Sequence, residues 1–249
     1  MKAGFGLILA CLALAACGPA GRDSEMDAFI DNLMGRMTVE EKIGQLNLPA
    51  GGDIVSGQVF ETDLAELVSS GKAGGFFNVK GVEKITEFQR LAIENSRLGI
   101  PLLVGADVIH GYETVFPIPL ALSCSWNPSA IERMARISAV EASADGVNWT
   151  FSPMVDICRD ARWGRIAEGS GEDPWLGSQM AAAYVCGYQG AYMSHDDEIM
   201  ACVKHFAAYG APEAGRDYTA VDMSRQKLYN CYLPPYQAAV EAGAGSVMT

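Results

Sequence analysis

Apolar residues recur along this chain in two rhythms, and the rhythms predict which segments are strands and which are helices. Short continuous apolar runs alternate with longer stretches in which apolar residues return every third or fourth position. Gly74 to Val79, Pro101 to Asp107, Val147 to Ile157, Ile199 to Val203 and Gly245 to Thr249 read as strands. Lys84 to Leu98, Asn127 to Gly146, Pro174 to Gln189 and Gln226 to Ala242 read as helices, the last interrupted at Pro234-Pro235. Asn127 offers a side-chain cap, and Pro128 a first residue whose φ is already helical. Ahead of the first strand, Met26 to Leu46 predicts one or two helices. There Thr38-Val39-Glu40-Glu41 fits a capping box, and Ile43 and Leu46 follow at helical spacing. Strands that are apolar throughout, separated by helices, predict a parallel α/β sheet covered on both faces.

The first residues follow neither rhythm. Lys2 is a short positive start, and Phe5 to Ala16 is an apolar run broken only by Gly6. A permanent membrane span needs ~20 apolar residues, so this shorter core predicts a signal peptide over residues 1–17. Its end, Leu14-Ala15-Ala16-Cys17, resembles a bacterial lipobox, in which Cys17 would be lipidated and become the new N-terminus. An ordinary signal peptide that happens to contain a cysteine is the alternative. Gly18-Pro19-Ala20-Gly21 opens a loose tether over 18–25, leaving 26–249 as the folded part. The expected location is the periplasm, with membrane contact only through the anchor.

Charge narrows the partners. The chain carries 18 basic and 30 acidic residues, a formal charge of −12, and no polybasic run. Phosphate backbones would be repelled, so nucleic acid is excluded as a partner and a neutral substrate is favoured. Seven cysteines are present. With Cys11 in the signal and Cys17 at its end, Cys124, Cys158, Cys186, Cys202 and Cys231 remain, an odd number that leaves at least one free thiol. Their spacing resembles no metal site. No metal, no cofactor and no disulfide framework are expected.

In parallel α/β architectures, chemistry gathers where strands end. After the second predicted strand come Asp107 and His110. After the third come Asp156, Arg162, Trp163, Arg165, Glu168, Glu172 and Asp173, and after the fourth Lys204 and His205. Carboxylates that accept from adjacent hydroxyls, cations that donate to them, and an aromatic face for the C–H surface are what a sugar ring requires. Each residue also has a plainer reading: Asp107 as a loop cap, Arg165 as an ion-pair partner of Glu168 or Glu172.

These same segments carry a resemblance. Gly105-Ala106-Asp107-Val108-Ile109-His110-Gly111, Phe116-Pro117-Ile118-Pro119, Phe151 to Asp156, Arg162-Trp163-Gly164-Arg165, Gly171-Glu172-Asp173-Pro174 and Lys204 to Gly210 resemble glycoside hydrolase family 3, in particular its periplasmic β-glucosidases. The likeness runs from about Met37 to Thr249. It implies a TIM-type (β/α)8 barrel, incomplete here, since a whole barrel takes ~250 residues and only about five strands fit. It implies an exo-acting retaining glucosidase acting on β-glucosides or short β-gluco-oligosaccharides. Asp107, Arg165, Lys204 and His205 would be substrate-binding, with Asp107 accepting from sugar hydroxyls and the Lys204-His205 pair donating to them. Arg162 would tie its loop to acidic neighbours, and His110 would bond to backbone behind Asp107.

Retaining hydrolysis uses a carboxylate nucleophile and a carboxylic acid that protonates the leaving oxygen. The resemblance places both beyond Thr249, so the sequence is expected to be a truncated one, without catalytic residues and inactive alone. Glu168, Glu172 and Asp173 match structural loop and helix-start positions of the family. Tyr209 stands where the N-acetylglucosaminidase branch carries a histidine, which disfavours that specificity; xylosidase activity stays open. A lipid-anchored, non-catalytic sugar-binding protein is the competing class.

Overall fold

Five parallel strands lie side by side in chain order, β1 (Gly75–Phe77), β2 (Leu103–Ala106), β3 (Trp149–Thr150), β4 (Met200–Val203) and β5 (Ser246–Val247). The structure is a computed structural model and describes residues 24–52, 63–190 and 193–249. The predicted signal peptide, Cys17 and residues 18–23 of the tether lie outside the described residues. Every strand pairing is parallel, and the connections between strands are helical, as in an incomplete (β/α)8 barrel.

The first two helices, α1 (Ser24–Arg36) and α2 (Val39–Gly44), split the predicted Met26–Leu46 segment. The split falls at the capping box: Thr38 Oγ1 accepts from the Glu41 N–H at 3.2 Å, and the Glu41 carboxylate accepts from the Thr38 N–H at 2.8 Å. Helix α3 (Leu64–Ser69), which the apolar rhythm did not predict, starts on an Asp63 cap. Also unpredicted is an edge segment in which Ala50 bridges Phe77 and Gly51 N–H donates to the Phe77 carbonyl at 2.7 Å.

Helix α4 (Val82–Arg90) runs on into a π-helical turn over Leu91–Asn95, together covering most of the predicted Lys84–Leu98 helix. A short α5 (Pro119–Ser123) precedes α6 (Pro128–Ala144), which Asn127 caps through the Ala130 N–H. Asp173 likewise caps α7 (Pro174–Gln189), and Gly190 ends it. Helix α8 (Arg225–Lys227) leads through a π-helical turn over Leu228–Tyr232 into α9 (Pro234–Glu241). Pro234-Pro235 therefore marks a restart: prolines cost nothing in a first turn, whose N–H groups have no intrahelical partner.

Helix α7 packs between α6 and α9, and its Leu176, Met180, Val185 and Tyr188 join the main core. The α6 contact is close because residue 187 is glycine: a Cβ there would lie 2.4 Å from the Glu132 carbonyl oxygen.

The third strand is shorter than predicted. Only Trp149–Thr150 pairs regularly on both sides, and the Val147–Ile157 expectation is corrected accordingly. Beyond it the Ser152 and Pro153 carbonyls accept in succession from the N–H groups of Cys202 and Lys204, in and just after β4. Pro153 has no N–H to offer, and two consecutive carbonyls facing one neighbour break the alternation of a ladder. The irregular stretch ends at Asp156, beneath the end of β4.

Candidate functional site

Two short backbone devices deliver the first pair of charges. Val108, next to Asp107, is clamped by its N–H to Thr150 Oγ1 at 3.3 Å and by its carbonyl, which accepts from the buried Tyr188 hydroxyl at 2.6 Å. Lys204 follows β4 directly and is 3% exposed. Its ammonium crosses the end of β3 and donates to Asp107 Oδ1 at 2.8 Å. Burying an ammonium is costly unless it is paired and hydrogen-bonded, so this contact sets where the Asp107 carboxylate stands.

Next to Lys204, His205 is held from below. Asp156 Oδ2 accepts from both the His205 backbone N–H and ring Nδ1, each at 2.9 Å. The Tyr236 hydroxyl lies 2.7 Å from Asp156 Oδ1 and 2.6 Å from the His205 carbonyl, and its single proton serves one at a time. Burial pushes the Tyr236 phenol up, and the Asp156 charge adds to the rise, so the hydroxyl stays protonated. The His205 ring meets Tyr209 edge-on at 4.9 Å between centroids.

Arg165 closes the other side. It forks onto Glu168 through two bonds of 2.6 Å, and its Nη1 lies 3.4 Å from His205 Nε2. The hydrogen bonds to Glu168 hold the guanidinium well above its ordinary range. Burial works to raise the Glu168 carboxyl, but the Arg165 hydrogen bonds and charge outweigh it, leaving it below the ordinary range. Of the two partners expected for an ion pair of Arg165, Glu168 is the one it meets.

Trp163 does not offer the aromatic face expected of it. It is 1% exposed, lies edge-on to Tyr209, and donates its indole N–H to Asp217 at 3.0 Å. A large apolar ring with one donor is better placed in the core with that donor satisfied than at an open rim. Tyr209 packs against the Arg165 guanidinium instead, 5.5 Å from centroid to Cζ.

Of the four predicted binding residues, Asp107 pairs with Lys204 and Arg165 meets His205, and the two pairs are joined at the Lys204-His205 peptide. A cavity of about 490 Å³ is lined by Arg165, His205, Phe206, Tyr209 and Tyr218 among others. A second, of about 280 Å³, lies on the other flank of Arg165 against Asp156, Arg159, Trp163 and Glu172. Asp107 and Lys204 line neither. His110 bonds through Nδ1 to the Phe116 carbonyl at 3.0 Å, and Arg162 pairs with Asp160 at 2.6 Å. Both therefore serve the loops, as anticipated. Asp156, Tyr236 and Asp217 were not singled out as binding or supporting residues; only Asp156 carried a signal, its place after a strand.

Among the described residues no cluster of three or more His, Cys, Asp or Glu could hold a metal ion, and no helix is long and apolar enough to cross a membrane. The cysteines 124, 158, 186, 202 and 231 are free thiols, of which Cys202 is buried.

Parallel strands with helical crossovers, and cation–carboxylate pairs gathered at their carboxyl ends, define an α/β protein of the barrel-enzyme class. The chain belongs to glycosyl hydrolase family 3: residues 38–249 match the glycosyl hydrolase family 3 N terminal domain. It is 46% identical over 222 residues to a periplasmic beta-glucosidase of Salmonella typhimurium, covering 89% of this chain and 28% of that protein. A beta-xylosidase of Formosa agariphila is 41% identical over 179 residues, 67% of this chain and 25% of that one. Among solved structures, the beta-glucosidase from Listeria innocua in complex with isofagomine superposes with a TM-score of 0.83 at 46% identity. That match covers 89% of this chain and 31% of the crystallised one. The chain thus spans less than a third of the length of these relatives.

Proposed function

We propose that this chain supplies the sugar-gripping side of an exo-acting retaining β-glucosidase that hydrolyses terminal β-D-glucosyl residues. The carrying observation is the meeting of Asp107–Lys204 with His205–Arg165 at the carboxyl ends of β2, β3 and β4. Asp107 accepts from sugar hydroxyls, while Lys204 and Arg165 donate to them. The relatives named beta-glucosidases, and the Listeria innocua structures with isofagomine and with glucose, support a glucosyl ring as the ligand.

Gripping is this chain's whole part in the reaction. Three of the site carboxylates are already engaged, Asp107 with Lys204, Asp156 with His205 and Glu168 with Arg165, while Glu172 borders the second cavity, which neither Asp107 nor Lys204 lines. Asp173 is a helix cap. None of the four engaged carboxylates is free to attack an anomeric carbon or to protonate a leaving oxygen, which supports a chain that binds and does not cleave. The test is calorimetric titration with glucose beside an assay on p-nitrophenyl β-glucoside. Binding without turnover is expected, and Asp107→Ala or Lys204→Ala should each weaken binding by about 1.5–3 kcal/mol. Unchanged affinity in both variants would sink the site, and turnover by the chain would sink the division of labour.

The Formosa agariphila relative favours one further reading, β-xylosidase specificity. Xylose lacks the exocyclic CH2OH of glucose, so the ratio of the two affinities decides between them. We also propose export with a lipid anchor at Cys17, which the name of the Salmonella typhimurium relative supports in its periplasmic part. Cys17→Ala should move the protein from the membrane to the soluble fraction; unchanged fractionation would remove the anchor.

A further inference from the structure

We propose that Asp156 is a positioning residue that keeps a proton on His205 Nδ1, so that His205 meets the sugar as a hydrogen-bond acceptor. This rests on the sugar-binding reading above and replaces the donor role that the family resemblance implies for this histidine.

Hydrogen-bond valence fixes the ring. Asp156 is 2% exposed, and its Oδ2 is 2.9 Å from both the backbone nitrogen and Nδ1 of His205. The Oδ2 that takes the His205 backbone N–H stands as an acceptor, so Nδ1 must carry the hydrogen between them. On the opposite edge, Nε2 lies 3.4 Å from Arg165 Nη1, and a guanidinium only donates. A hydrogen on Nε2 would set donor against donor. The two partners therefore agree on one state of the ring: Nδ1–H, with a bare Nε2. An isolated histidine side chain prefers the other tautomer, with its hydrogen on Nε2, so this state is imposed by its surroundings.

The support behind the ring is closed as well. The Tyr236 hydroxyl, from α9, touches both the carboxylate that orients His205 and the carbonyl of His205 itself. Tyr209 lies edge-on to the ring. Flipping the imidazole would break the Asp156 bond and put a carbon where Nδ1 now donates.

The consequence is a division of polarity within the site. Lys204 and Arg165 donate, and His205 Nε2 accepts. A separation of 3.4 Å to Arg165 is a long bond. A sugar hydroxyl arriving there can receive from Arg165 and donate to Nε2, improving both contacts.

Long-range proton–nitrogen NMR on this chain with 15N-histidine reads the tautomer directly, and three histidines keep the spectrum simple. His205 is assigned by the signal lost in His205→Phe. In the wild type we expect the Nδ1–H pattern for His205. An Nε2–H pattern, or a mixture, overturns the proposal whether or not any further variant folds. Asp156→Leu should switch the ring to Nε2–H; retention of Nδ1–H would take the role away from Asp156. Adding glucose to the wild type should then move the Nε2 resonance while leaving the tautomer unchanged. If the tautomer is as proposed but glucose moves no His205 signal, the acceptor role toward sugar is overturned. If calorimetry then also finds no glucose binding, the sugar-site reading has failed, and not the assignment of the ring.

Discussion

Lys204 and Asp107 join strands that are not neighbours: the ammonium at the end of β4 passes over β3 to a carboxylate just beyond β2, 2.8 Å away. The lysine side chain is 4% exposed and the aspartate 30%, so the pair is shielded on one side only. Lys204→Met should therefore destabilise the fold by about 1–3 kcal/mol, less than breaking a fully buried pair. A double-mutant cycle with Asp107→Asn should return a coupling of about 1–2 kcal/mol in urea denaturation. Additive single and double variants would mean that the contact has no energetic weight.

Glu168 makes the fold depend on pH in one direction. Burial tends to raise its carboxyl, but the Arg165 fork prevails and its folded value lies below the unfolded one. The ionised form thus contributes stability above the ordinary glutamate range, about 4.3, and loses it as pH falls through the lower folded value. The stability difference between wild type and Glu168→Gln should be constant from pH 7 to about 5 and shrink in more acid solution. Urea midpoints at three pH values check this, and a gap that widens in acid would reverse the assignment.

How much of this was legible in the sequence depended on how local each cause is. Helix α7 was found to the residue, since Asp173, Pro174 and Gly190 act within one turn of its ends. Strands β1, β2 and β4 were found because they are largely buried and their sequences are apolar throughout. The Ala50 edge was not, because Pro49 and Gly51 interrupt the run that would have marked it. Asp107, Arg165, Lys204 and His205 stood out as polar residues after strands. So did Asp156, but the support it gives His205 together with Tyr236 did not: Asp156 and Tyr236 are 80 residues apart, and nothing near Tyr236 in sequence announces the contact. Trp163 misled because a tryptophan among charged residues reads as a platform, whereas packing buried it.

Close approach of α6 and α7 at Gly187, and open space at Gly35 in α1, predict opposite outcomes for two glycine-to-alanine changes. At Gly187 a Cβ would meet the Glu132 carbonyl at 2.4 Å and the Ala135 Cβ at 2.6 Å. Gly187→Ala gains up to ~1 kcal/mol of helix propensity but forces the helices apart, for a net loss of about 1–3 kcal/mol. Gly35, in α1, has nothing within 4 Å of the same position. Gly35→Ala should stabilise by up to ~1 kcal/mol. Thermal melts of the two variants against wild type test both signs at once.

Asp217 pins the segment that carries Tyr218 over the cavity beside Arg165. Its carboxylate accepts the indole N–H of the buried Trp163, and Thr219 Oγ1 lies 2.6 Å from the Arg216 carbonyl within the same turn. Burial works to raise the Asp217 carboxyl, yet the Trp163 bond and its neighbours bring it below the ordinary range. The ionised, hydrogen-bonded form is therefore the one present at neutral pH. Asp217→Ala leaves a buried indole N–H without its acceptor, a loss of about 1–3 kcal/mol. That loss should appear locally, as faster hydrogen exchange of the amides between Arg216 and Val221, while α6 and α7 stay protected. Asp217→Asn keeps an acceptor oxygen without the charge and should fall between the two. Uniformly faster exchange across the chain would instead make Asp217 part of the global fold rather than the latch of this segment.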